Sequence, residues 1–100
     1  MGQSRLQLHQ LLKMFCENVY FQPPENVQMK YPAIVYNRDY RYVAHADNRP
    51  YLNTKRYQVT VIDRDPDSEI PEKVADLPLC TFSRFFAVDY LNHDIYSLYF

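Results

Sequence analysis

Three groups of residues carry side chains capable of chemistry, and the spacing within each decides what that chemistry could be. The first is His45 with Asp47 and His93 with Asp94, which could be drawn as a catalytic or metal-binding cluster. A helical zinc pair needs histidines at i and i+4, whereas the three histidines here stand at positions 9, 45 and 93. Turn and loop roles account for them better. The second group is Asp63, Asp65 and Asp67, alternating as carboxylates do in a calcium loop. Counted from Asp63, an EF-hand needs glycine sixth and glutamate twelfth, where this chain has Ser68 and Val74, and Pro66 stiffens the middle. Capping of the following helix explains these carboxylates better. The third group is Cys16 and Cys80, each within an apolar pattern and without metal spacing, so two buried reduced thiols are expected in place of a disulfide. No serine or cysteine sits in a nucleophile elbow. The sole glycine, Gly2, leaves no glycine-rich loop to cradle a phosphate. The chain is therefore expected to be no enzyme, with no catalytic residues, no bound metal and no cofactor.

Binding is the chemistry that remains. Between Asn37 and Lys55 the residues Arg38, Asp39, Arg41, His45, Asp47 and Arg49 interleave with Tyr40, Tyr42 and Tyr51, without a steady period. A segment of this kind in a small domain is a functional loop, or a long hairpin that projects from the sheet. Tyrosine and arginine are enriched at protein interfaces, which makes Arg38 to Tyr51 the expected partner-contact segment. Arginine beside tyrosine can also grip phosphate and stack bases, and Arg38, Arg41, Arg49, Lys55 and Arg56 would carry that alternative. Asp39, Asp47 and a net charge of -1 stand against it, so no specific nucleic-acid ligand is expected.

The elements that must hold this segment are legible on either side. Arg56 to Asp63 alternates Tyr57, Val59 and Val61 against Gln58, Thr60 and Ile62, a strand built from strong β-formers. Pro66 and the Asp/Ser cluster stop it, Asp67 or Ser68 is placed to cap a helix, and Ile70, Val74 and Leu77 give that helix one apolar face, with Pro71 tolerated in its first turn. Upstream, Ser4 and Gln7 have capping-box form ahead of the stripe Leu8, Leu11, Leu12 and Phe15, which predicts a helix from about Ser4 to Cys16 with His9 on its polar side. Asn18 to Gln22 is a short β-like run ended by the bend Pro23-Pro24, and Tyr31 to Tyr36 is a second strand whose continuous apolar run predicts burial on both faces. Downstream, Leu79 to Val88 alternates Cys80, Phe82, Arg84, Phe86 and Val88 against Thr81, Ser83, Phe85 and Ala87. Asp89 to Asp94 is expected to turn the chain into a last strand, Ile95 to Phe100, closing an antiparallel hairpin. With one glycine, tight turns should fall on Asn37, Asn48, Asn53 and Asn92.

The 100 residues form one domain, of a size that buries roughly two-thirds of its unfolded surface. The fold class expected is α+β: residues 1–100 as a single domain, a mixed or mainly antiparallel sheet of four or five strands, and two helices packed on it. Ten tyrosines and no tryptophan suit surfaces that are wet in the monomer and covered in an assembly. No apolar run approaches the roughly 20 residues of a membrane span, and the first residues have neither a secretion signal nor, with Leu6 where Ser or Thr is wanted, a myristoylation motif. Synthesis in a reducing cytoplasm is expected.

Several blocks in fixed order carry a resemblance. They are Asn18-Val19-Tyr20-Phe21-Gln22-Pro23-Pro24-Glu25, Met29-Lys30-Tyr31-Pro32-Ala33-Ile34-Val35-Tyr36, Ala46-Asp47-Asn48 with Tyr51, and Leu91-Asn92-His93. The most specific is Arg56-Tyr57-Gln58-Val59-Thr60-Val61-Ile62-Asp63-Arg64-Asp65-Pro66-Asp67-Ser68 with Ile70-Pro71. Together the chain resembles the tail terminator proteins of long-tailed bacteriophages and prophages. The resemblance implies a virion structural protein at the head-tail junction, assembled in the bacterial host cytoplasm. It implies a homo-oligomeric ring, commonly a hexamer, that caps the major tail tube protein and offers a surface to a head completion or connector protein. Other head-tail connectors, minor capsid proteins, and a small nucleic-acid-binding or host-modulating module are the alternatives.

Overall fold

The computed structural model describes residues 4–24, 28–46 and 49–100, with side chains described outside 39–55. The elements are α1 (Arg5–Lys13), β1 (Val19–Phe21), β2 (Ala33–Ala46), β3 (Arg49–Asp63), α2 (Ile70–Ala75), β4 (Cys80–Val88) and β5 (Leu91–Tyr99). The strands form one sheet in the order β1-β2-β3-β5-β4, with β1 parallel to β2 and all other neighbours antiparallel. This is a small α+β domain with a five-stranded mixed sheet and two helices. The last strand in sequence, β5, is inserted between β3 and β4, which leaves β4 at the sheet edge.

Register explains the core. Directly opposed residues share a face, so Ile34 and Tyr36 align with Val61 and Val59, and Val59 and Tyr57 align with Tyr96 and Leu98. These side chains, with Val19, make one buried cluster with Leu8 and Leu12 of α1 and Val74 of α2, so both helices lie on the same face. The opposite face carries Ala33, Ile62 and Ile95 buried among half-buried Val35, Thr60 and Ser97. The run before Tyr36 is thus buried at Ala33, Ile34 and Tyr36 and only partly at Val35.

The capping box forms as expected: the Ser4 Oγ accepts from the Gln7 amide at 3.2 Å and the Gln7 Oε1 accepts from the Ser4 amide at 2.9 Å. The helix ends at Lys13, short of Cys16: the amides of Met14 and Phe15 tighten to i→i−3 bonds on the Leu11 and Leu12 carbonyls, and Cys16 drops into the core. Cys16 and Cys80 are both free thiols, but Cys80 is only half-buried, since its strand lies at the edge. Tyr31-Pro32 is a cis peptide directly ahead of β2.

Three expectations about turns are corrected. Asn37, Asn53 and Asn92 lie inside strands, and Asn48 is outside the described residues. Left-handed backbone falls instead on Gln22, Leu79, Asp89 and Tyr90. The β4–β5 connection is only Asp89-Tyr90, both at positive φ, a turn whose twist matches the hairpin, so Leu91 to Asp94 belong to β5. Helix α2 begins after Glu69 with no side-chain cap; the Ser68 Oγ accepts from Ile70 N at 3.3 Å, and Asp67 does not cap it. The aspartates close turns of their own: Asp63 Oδ1 accepts from Asp65 N at 2.9 Å and Asp65 Oδ1 from Asp67 N at 3.0 Å.

Candidate interaction surface

Of the expected contact segment, Arg38 to Tyr51, the structure places most residues on a long hairpin and not in an irregular loop. Strands β2 and β3 continue past the last β1 partner, Tyr36, and the last β5 partner, Arg56, as a two-stranded ribbon. The molecule is accordingly elongated, 51 × 26 × 23 Å. Register breaks at Asp39, between Arg38 and Tyr40, and again opposite Ala44 and His45, where Tyr51 is the extra residue on β3. Such bulges sharpen ribbon twist and explain why no period is visible in the sequence. Arg38 is exposed, and its amide donates to the Gln22 side chain at 3.3 Å, which closes the sheet edge beyond β1. Asp39, Tyr40, Arg41, Tyr42, His45, Arg49 and Tyr51 are placed by backbone alone, and Asp47 lies outside the described residues.

The histidines are not brought together. His45 pairs with Pro50 at one end of β3 and His93 with Ile62 near the other, roughly 40 Å away at the usual strand rise. His93 stacks on Phe86 at 4.5 Å with 12° between the planes. His9 Nδ1 meets the buried Tyr36 hydroxyl at 2.7 Å, and Arg5 donates to the same hydroxyl at 3.3 Å. Burial, then Lys13 and Arg5, lowers the His9 pKa, so the neutral ring is a ready acceptor for the phenol. Burial and then Asp94 push the Tyr96 pKa up to about 12. These are anchoring contacts. Among the described residues no group of three or more His, Cys, Asp or Glu is placed to hold a metal ion, and none of the helices is long and apolar enough to cross a membrane.

The surface that sequence reasoning missed is β4. Every residue from Thr81 to Val88 is exposed, on both faces of the strand. The single alternation read from sequence is interrupted, because Phe82 opposes Tyr96 while Arg84 opposes Ile95, making Ser83 the extra residue of a bulge. Phe82 and Phe85 therefore lie on the helix side, and Arg84 and Phe86 lie on the other with His93. Beyond the strand ends, Leu79 and Tyr90 are 69% and 95% exposed. Beside β4, a cleft of about 220 Å³ is lined by Asp63, Asp65, Glu72, Phe85 and Asp94 among others. The signal in the sequence is a strand that carries phenylalanine in both alternating sets. Comparisons with protein families, curated proteins and solved structures return no match for this chain.

Proposed function

We propose that this chain is an assembly subunit of a long-tailed phage, one that closes the tail tube as an oligomeric ring and presents a surface for head attachment. The observation that supports it is a sheet edge that stays exposed from Thr81 to Val88 and carries Phe82, Phe85 and Phe86, with Tyr90 after it. An isolated soluble domain gains nothing from that arrangement, whereas a subunit covers it on assembly. The projecting ribbon that carries Arg38 to Tyr51 supplies a second contact, reaching toward tube or head protein. The phage assignment rests on the ordered sequence blocks.

The test is to add the purified chain to elongating tail tubes of a long-tailed phage and to image them. Bound density at tube ends and arrested growth are the expected result. Tubes that lengthen unchanged, with no bound protein, would overturn the proposal.

A further inference from the structure

We propose that β4 is a self-pairing edge: two copies of this chain join β4 to β4 antiparallel across a twofold axis at Phe85, fusing their sheets into one. The inference does not rest on the phage reading. Its first ground is the edge itself, since among the described residues β4 pairs only with β5 and half of its backbone donors and acceptors face outward. Edge strands are normally blunted by lysine, proline, inward charge or a bulge; β4 has a single charged residue, Arg84, and its one bulge, at Ser83, leaves Arg84 to Val88 in regular register.

The second ground is the backbone at its two ends. Leu79 and Tyr90 sit at φ 57° and 63°, conformations that glycine or asparagine adopts at less cost, and both side chains are exposed. Large apolar groups kept in that geometry gain nothing for the monomer. They extend the apolar surface of β4 at both ends.

Area and charge identify the occupant as a second copy. Phe82, Phe85, Phe86 and Tyr90 are 59%, 54%, 37% and 95% exposed, roughly 500 Å² of exposed residue surface per chain. With Leu79, Val88 and the backbone edge, this approaches the roughly 800 Å² that each partner contributes to a standard interface. The opposite sheet edge offers the three residues of β1 before Gln22 closes it and then the outer edge of the ribbon, broken by the bulge at Asp39, whereas an axis at Phe85 pairs seven residues of β4, 82–88, with themselves. An axis at Arg84 would set two guanidiniums face to face. An axis at Phe85 sets Arg84 of one copy opposite Phe86 of the other, a ring that Arg84 already approaches at 5.7 Å within its own chain.

The pairing is tested with the full chain by sedimentation equilibrium and by cross-linking. Wild-type protein is expected to dimerise with rising concentration, and Phe85→Lys to weaken the dimer at least tenfold while keeping its circular dichroism. In the Phe85→Cys variant, twofold symmetry places the two thiols across from one another at disulfide distance, so mild oxidation should give linked dimers that wild-type protein does not form. A wild-type chain that stays monomeric overturns the proposal. So does a folded Phe85→Cys variant that associates without cross-linking, because that result means heterologous contacts. Wild-type protein that dimerises through β4 yet neither binds tube ends nor stops tube growth would instead remove the phage reading and leave β4 pairing intact.

Discussion

Tyr90 is where side chain and backbone disagree most sharply. It occupies the second position of a two-residue hairpin turn at φ 63°, where Asp-Gly is the favoured pair and a Cβ is costly. Tyr90→Gly should therefore stabilise the monomer by about 0.5 to 1 kcal/mol in urea unfolding, and a loss of stability there would show that the ring is anchored within its own chain. Asp94 is the second such residue. It lies opposite Val61 and Phe85, and burial holds its carboxyl above the usual range, with His93 offsetting part of the effect. A carboxyl raised in the folded state contributes its full stability below the unfolded value and loses it as pH rises through the folded value. Asp94→Asn should thus flatten the pH dependence, gaining on wild type as pH climbs past about 4. Thermal melts from pH 3 to 7 would measure this, and parallel curves for the two proteins would refute it.

At the scale of elements, local patterns were sound wherever one residue type decides the backbone. The capping box at Ser4 and Gln7 is such a case, and Ser4→Ala should cost about 1 kcal/mol by loss of the N-terminal cap, measured by chemical denaturation. The alternation of Tyr57, Val59 and Val61 held because one face of β3 is buried under the helices. The alternation in β4 did not hold, because Ser83 adds a residue and reverses every side chain after it. Nothing in the type of Ser83 announces a bulge; the partner strand imposes it. The segment after Asn37 was legible as aperiodic, and a long hairpin was one of its two forms. Its period is hidden by two register breaks, one at Asp39 and one at Tyr51.

For the whole molecule, the projecting ribbon and the β4 edge lie on different strands of one sheet and can be separated experimentally. Replacing residues 40–55 with a two-residue turn removes strand pairs that, among the described residues, pair with no third strand, so the sheet should remain. The trimmed protein is expected to keep cooperative unfolding within about 2 kcal/mol of the parent and to lose binding to tube ends while β4 pairing persists. Loss of cooperative unfolding would mean that the ribbon is part of the core. Denaturation reads the unfolding, sedimentation the β4 pairing, and imaging of tubes the loss of binding.

By itself the sequence determined the strands, the helices and the α+β class, because periodicity and caps are local properties. Tertiary structure alone decided that β5 enters between β3 and β4, that both helices cover one face, and that β4 is left at the edge with its phenylalanines exposed. Those outcomes depend on which strands pair, and pairing is set by the burial of distant residues against one another. The same phenylalanines in a central strand would be core, and only their place at the edge makes them a surface.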